Sequence, residues 1–125
     1  MFKLILIVGT GSFIGGASRF ILSRYVQNHS YSSFPFGTFT VNIIGCLLIG
    51  ILMGLSERNS LMNNELRIFL TVGFCGGFTT FSTFAGDNIS LLRDGNFIYF
   101  ALYAGFSVFC GLLAAYLGNI LIKML

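Results

Sequence analysis

The sequence predicts an all-α membrane protein with four transmembrane helices, on the evidence of its composition and the spacing of its charges. Hydrophobic residues make up 55% of the chain and charged residues only 9%, whereas soluble domains contain about 25% charged residues. Four stretches carry no charged side chain: residues 4–18, 30–56, 68–86 and 95–122. Once the first is extended, each supplies the roughly 20 residues that a spanning helix needs. We therefore expect residues 1–125 to form one transmembrane domain.

The first stretch is the shortest because Arg19 interrupts it. Residues 20–25 extend it to a full span if Arg19 faces protein or water. Gly11, Gly15 and Gly16 are typical of helix packing in membranes, which favours a transmembrane helix over a signal peptide. Arg19 either snorkels to the interface, the favoured interpretation, or raises the positive potential at the entrance of an anion path.

Polar residues of the second stretch share one helical face, since Thr38, Asn42 and Gly45 fall at positions i, i+4 and i+7. Polar groups inside a membrane are costly unless they face protein or water, so they are functional candidates. The Asn42 amide offers two N–H donors with no charge nearby in the sequence. A dehydrated anion and an interhelical hydrogen bond are both suitable partners for it.

The third stretch contains a glycine cluster that predicts a broken helix at mid-membrane. Gly73, Gly76 and Gly77, with Thr79 and Thr80 next, should weaken the helix by about 1 kcal/mol per glycine relative to alanine. Freed carbonyls at such a break are oxygen ligands suited to a small cation. Beyond the break, Phe81 and Phe84 stand three residues apart on one side of the helix. Aromatic rings have a positive edge, so two rings presented edge-on can contact an anion.

Small residues and weak charge asymmetry suggest an oligomer. Pairs such as Gly50 with Gly54 and Gly111 with Ala115 have the spacing of close helix contacts, and packing within one chain explains most of them. Four short helices leave little lumen, so a pathway is more plausible between chains. With both termini on one side, that side receives four basic residues and the other two or three, which is a weak orientation bias.

Several function classes lack the necessary residues. His29, the one histidine, lies in a polar loop, so no catalytic triad or metal set is evident and an enzyme is not expected. Basic residues are scattered, which gives no sign of nucleic-acid binding. The cysteines, at positions 46, 75 and 110, have no metal-ligand spacing. A small dual-topology multidrug or cation exporter is disfavoured because the first stretch has no carboxylate.

The sequence resembles the Fluc (CrcB-like) family of fluoride channels. The resemblance covers essentially the whole chain and rests on GGASR at residues 15–19, PFGT at 35–38, VNIIG at 41–45 and GFCGGFTTFSTF at 73–84. It implies a fluoride-selective channel that lets fluoride leave the cytoplasm passively across the bacterial inner membrane. It further implies an antiparallel, dual-topology dimer in membrane lipid, with two pores and a structural sodium ion at its centre.

The resemblance also assigns roles to individual residues by motif position. Gly76 and Thr79 would bind Na⁺, with one such pair from each subunit. Asn42 would be the pore donor, and Phe81 and Phe84 would supply the aromatic lining. Thr38, Ser82 and Thr83 are candidates for the polar track, meaning the polar side chains along the pore. Arg19 is a candidate for the vestibule, meaning the entrance to the pore.

The fourth helix departs from the family pattern. Gly111 and Ala115 stand where many relatives carry serine and threonine, so Ser107 or Tyr103 would have to replace that part of the polar track. Some relatives work as heterodimers, so a non-conducting partner subunit is an alternative to the homodimer. Two further functions stay open at this point: a structural membrane subunit without transport, and the exporter.

Overall fold

The computed structural model describes residues 1–58 and 63–125, and these residues form helices and connecting loops with no strand. Four helical stretches are long and apolar enough to cross a membrane: Phe2–Asn28, Phe36–Arg58, Asn64–Arg93 and Phe97–Met124. The chain is therefore an all-α, multi-pass membrane protein, which confirms the predicted class and the predicted number of spans.

Helix α1 (Phe2–Asn28) runs through Arg19 without interruption, so the extension over residues 20–25 is real. Helix α2 (Phe36–Arg58) begins six residues after the start of the second uncharged stretch at residue 30. The reason lies in the loop between them. The Gln27 amide donates to the carbonyls of Ser32 and Phe34 and accepts from the Gly37 N–H, which holds residues 30–35 outside the helix.

The third stretch consists of several pieces. Helix α3 (Asn64–Ile68) leads into a π-helical segment (Phe69–Cys75) and a last turn, α4 (Gly76–Phe78). Thr79 and Thr80 are extended, with φ and ψ of −95° and 150° and of −149° and 129°. Helix α5 (Phe81–Arg93) follows. Gly73, Gly76 and Gly77 are thus helical themselves, and the two threonines after them form the interruption.

Close backbone contacts explain half of the sixteen glycines. A Cβ on Gly11 would lie 2.9 Å from the Gly73 Cα, and one on Gly77 would lie 2.9 Å from the Ser12 Cα. On the other side of the molecule, α2 packs along helix α6 (Phe97–Met124), where a Cβ on Gly118 would lie 2.6 Å from the Leu47 carbonyl oxygen. Packing within the chain therefore accounts for these residues, whereas Gly76 has no atom within 4 Å of the same position.

Candidate functional site

The interruption of the third stretch is bridged by Asn42 of α2. The Thr80 N–H donates to the Asn42 Oδ1 over 3.1 Å, and the Asn42 Nδ2 donates to the Thr80 carbonyl over 3.4 Å. The side-chain amide thus satisfies both backbone groups of Thr80, as a neighbouring strand would. Of the two suitable partners of Asn42, the interhelical bond is present, and it uses one of the two amide N–H groups. The role of Asn42 as a pore donor stays a prediction.

Two carbonyl groups near the interruption lose the donors that a continuous helix would give them. In a helix the Thr80 N–H would bond the Gly76 carbonyl, and the Thr83 N–H would bond the Thr79 carbonyl. Here the Thr80 N–H donates to Asn42, and the Thr83 N–H donates to the Thr80 hydroxyl over 3.4 Å. Gly76 and Thr79, the residues named as sodium ligands, are therefore among the residues whose carbonyls lose their helical donors.

Arg19 lies close to the same interruption. Its Nε donates to the Gly77 carbonyl over 3.2 Å in a partly buried contact. The side chain therefore turns inward to the end of α4, so Arg19 faces protein, and its role as a vestibule residue stays a prediction. Arg19 lines neither of the two cavities described below.

A cavity of about 430 Å³ lies beside the interruption, between α2, the third stretch and α6. All of its described lining residues are uncharged. The predicted site residues among them are Asn42, Gly76, Thr79, Phe81, Phe84 and Ser107. The tertiary structure therefore brings together, in one neutral cavity, residues that lie up to 65 positions apart in the sequence.

Aromatic rings form one wall of this cavity. The ring centroids of Phe81 and Phe84 are 5.6 Å apart with planes inclined by 43°, and those of Phe84 and Tyr103 are 5.0 Å apart. Phe81 is 78% exposed in the single chain, whereas Phe78, three residues earlier, is 4% exposed. The Phe81 ring is thus not a core residue of the isolated subunit.

A second cavity of about 360 Å³ is polar and lies next to the loop between α1 and α2. Thr38 and Asp87 line it, together with Arg24 and Gln27. The Tyr103 hydroxyl donates to the Asp87 Oδ2 over 3.0 Å, while the Tyr103 ring contacts Phe84. Tyr103 is fully buried and connects the walls of the two cavities.

Tyr103 has a larger part in the structure than the sequence indicates, where it is only a possible substitute on the fourth helix. The sequence could have indicated this part for Tyr103 through its spacing from Ser107. The two residues are four positions apart on α6 and so share a helical face. The Ser107 Oγ is buried and has no hydrogen-bond partner among the described residues. Ser107 lines the neutral cavity, and its role as a polar-track residue stays a prediction.

Two predicted polar-track residues do not reach either cavity in the single chain. Ser82 and Thr83 are exposed in the first turn of α5. The Ser82 hydroxyl pairs with that of Thr80 over 3.1 Å. Their position at a helix N-terminus places them where the helix dipole favours negative charge.

The described residues contain no group of three or more histidine, cysteine or acidic side chains suited to a metal ion. The oxygen ligands available near the interruption are instead neutral backbone carbonyls. Such ligands suit hard monovalent cations better than transition metals, which prefer nitrogen and sulfur. The site chemistry therefore fits the predicted sodium ion, whose binding remains a prediction.

Comparison with known proteins gives one consistent result. Residues 6–119 match the model of a family described as CrcB-like protein, Camphor Resistance (CrcB). A protein of Azobacteroides pseudotrichonymphae named fluoride-specific ion channel FluC is 43% identical over 121 residues, 97% of each chain. Proteins of the same name from Chlorobium phaeobacteroides strain BS1 and Flavobacterium psychrophilum are 45% and 38% identical over 123 residues, 98% of this chain and 95% and 99% of theirs.

These relatives are named as ion channels, which confirms that the chain is not an enzyme. The match extends over the four motifs that carry the resemblance. The chain belongs to the CrcB-like family.

Proposed function

We propose that this protein is a fluoride-selective channel that conducts fluoride passively and lowers its concentration in the cytoplasm. The observation that carries the proposal is the neutral cavity, which Asn42 and Ser107 line together with Phe81 and Phe84. The names of the relatives supply the identity of the ion.

The lining suits a small, strongly hydrated anion. Donors from Asn42 and Ser107 replace water molecules of the hydration shell, and the ring edges of Phe81 and Phe84 add weak positive potential. Conduction requires binding that is strong enough for entry and weak enough for release. A cavity without a cationic side chain meets the second condition, because no fixed charge traps the anion there.

The path continues past Tyr103 to the polar cavity. Tyr103 contacts Phe84 on one side and donates to Asp87 on the other, so it lies between the apolar wall and the cavity lined by Thr38. In this proposal Thr38, Ser82 and Thr83 supply further hydroxyl donors along the path. Arg19 lines neither cavity, so it contributes positive potential without touching the ion.

The functional unit in this proposal is an antiparallel, dual-topology homodimer with two pores. Support comes from the exposed surface around the cavity, where Phe81 is 78% exposed and Gly76 has open space beside its Cα. A second chain in the opposite orientation would close that side. The weak difference in basic residues between the two faces of the membrane is compatible with insertion in both orientations.

A sodium ion at the dimer centre is the second part of the proposal. The interruption at Thr79 and Thr80 falls near the middle of the 30-residue stretch Asn64–Arg93, which supports a break at mid-membrane. The carbonyls of Gly76 and Thr79 would hold the ion, since their helical donors are diverted to other acceptors. When bound, the ion would supply positive charge at the C-terminal end of α4 and link the two subunits.

The relatives are bacterial, and we place the protein in the inner membrane of a bacterium. Fluoride that enters the cell as its weak acid dissociates in the cytoplasm and accumulates as the anion. A passive channel then returns it down its gradient, which gives fluoride resistance without energy input. Neither an organic cofactor nor nucleic acid takes part.

The decisive experiment is fluoride efflux from liposomes that contain this chain alone, with chloride efflux as the control. We expect fluoride to leave rapidly and chloride to be retained. Well-folded protein without fluoride-selective efflux would exclude the homodimeric channel. Efflux restored by a second, different chain would then identify a heterodimer, whereas proton- or cation-driven dye uptake would identify an exporter.

A further inference from the structure

The end of α4 is a helix C-terminus inside the membrane, and its carbonyl groups need partners. A helix leaves its last four carbonyls without intrahelical donors. Here they belong to Gly76, Gly77, Phe78 and Thr79, since the Cys75 carbonyl keeps its helical donor. The Cys75 carbonyl accepts from the Thr79 N–H over 3.0 Å and from the Thr79 hydroxyl over 2.9 Å. The Gly77 carbonyl accepts from the Arg19 Nε over 3.2 Å.

Arg19 reaches this carbonyl because α1 passes very close to α4. A Cβ on Gly77 would lie 2.5 Å from the Ser12 carbonyl oxygen, and one on Gly16 would lie 4.0 Å from an Arg19 terminal nitrogen. The glycines thus bring the two backbones together and leave room for the guanidinium alongside. A cationic side chain at a helix C-terminus is also favoured by the helix dipole.

Successive carbonyls of a helix differ in direction by about 100° around its axis. Arg19 fixes the Gly77 carbonyl on the side of α1, whereas Gly76 is exposed and lines the neutral cavity. Asn42 fixes Thr80 on the other side of the interruption through two hydrogen bonds. The two side chains therefore hold the segment between them from two neighbouring helices, α1 and α2.

We propose that Arg19 is a positioning residue for the cation site: by holding the Gly77 carbonyl, it orients the neighbouring Gly76 carbonyl toward the cavity. This inference rests on the proposed function, since it concerns the sodium ion of that proposal. Arg19 acts through α4 and does not contact the ion. Its own positive charge opposes cation binding, so the two effects have opposite signs and an experiment can separate them.

The test measures how sodium stabilises the purified dimer in detergent, as the sodium concentration that gives half of the maximal rise in melting temperature. Potassium replaces sodium to keep the ionic strength constant. For Arg19→Gln we expect this midpoint to rise about tenfold, the equivalent of about 1.4 kcal/mol. Arg19→Lys keeps the charge and a donor, and we expect it to recover part of the difference.

The control is Arg93→Gln at the end of α5. Arg93 is exposed and lines neither cavity. This variant removes the same charge without touching α4, and we expect an unchanged sodium midpoint. A comparable rise for Arg93→Gln would assign the effect to net charge and overturn the inference.

The remaining outcomes are distinct. A midpoint that falls or stays constant in Arg19→Gln, with a sodium response in the unaltered protein, would overturn the positioning role and leave the sodium site intact. A protein that shows no sodium response at all would overturn both the site and the inference. If Arg19→Gln does not fold, Arg19→Lys alone decides, because an unchanged midpoint there would contradict the need for the Nε donor.

Discussion

The two sides of the interruption at Thr79 and Thr80 are built differently. Before it, residues of the π-helical segment and α4 press against α1 so closely that only glycine fits at several positions. After it, α5 is largely exposed in the single chain, with Asn88 and Leu91 as its buried residues. One twelve-residue motif therefore has a packed half that fixes the backbone and an open half that faces the cavity and the surface.

The difference also has an electrostatic side. The packed half ends in the negative end of a helix, with carbonyls that suit a cation, and the open half begins with the positive end of a helix, with N–H groups that suit an anion. The pairing of cation-binding and anion-binding features in one short motif thus follows from a single interruption. Substitutions on the two sides are expected to have different effects.

The largest effect is expected from Gly77→Val on the packed side. Its Cβ would lie 2.5 Å from the Ser12 carbonyl oxygen and 2.9 Å from the Ser12 Cα. Overpacking of a close contact costs about 1–3 kcal/mol and more against backbone, so we expect loss of folded dimer in size-exclusion chromatography. Gly86→Val on α5 is the control, because no atom lies within 4 Å there. Equal loss in both variants would contradict the comparison.

Asn42→Ala comes next, since it removes the bridge across the interruption. Two backbone groups of Thr80 lose their partners, and each unpaired buried group costs about 1–3 kcal/mol. We expect a lower melting temperature together with at least tenfold slower fluoride efflux. Asn119→Ala, which removes a single 3.5 Å bond to the Gly50 carbonyl, is expected to cost less than about 1 kcal/mol. A tolerated Asn42→Ala would instead favour a structural subunit without transport.

Phe81→Ile tests the open side directly. The ring is 78% exposed in the single chain, so its loss leaves the subunit core intact. We expect fluoride efflux to slow about fivefold, the equivalent of about 1 kcal/mol of aromatic contact, with the dimer preserved. Phe78→Ile, at a 4% exposed ring stacked on Phe74, is expected to lower stability instead. Loss of the dimer in Phe81→Ile would show that this ring serves packing.

The smallest effect is expected from Ser107→Ala. The hydroxyl has no partner within the described part of the chain, so its removal breaks no bond and leaves the melting temperature unchanged. Efflux is expected to fall by about two- to threefold as one donor of the cavity is lost. Ser12→Ala, which removes a 3.3 Å bond to the Gly73 carbonyl, should lower stability. Unchanged efflux in Ser107→Ala would remove this residue from the path.

Much of the fold is accessible from the sequence because membrane insertion depends on local composition. The four uncharged stretches indicate the spans, and the motif around Gly76 and Phe81 points to the segment that carries the site. The uncharged stretch 30–56 starts before α2 because uncharged loop residues cannot be told from helix by charge alone, and the hydrogen bonds of Gln27 keep them outside the helix.

The side-chain partners are less accessible. Nothing in the spacing of Arg19 shows that it meets Gly77, 58 residues away, since that contact exists only because glycines bring α1 and α4 together. Tyr103 and Asp87 look unrelated in the sequence for the same reason, although they are hydrogen-bonded in the fold. Long-range pairs of this kind arise from helix packing, which no local pattern encodes.

By itself, then, the sequence determined that this protein is a four-span membrane protein with a weakened third helix, because hydropathy and glycine content act locally. The tertiary structure decided which two residues are extended, which carbonyls lose their donors, and that Asn42 and Arg19 hold the interruption from two neighbouring helices. Those features depend on distances between helices, and the close approach of glycine-bearing backbones sets those distances.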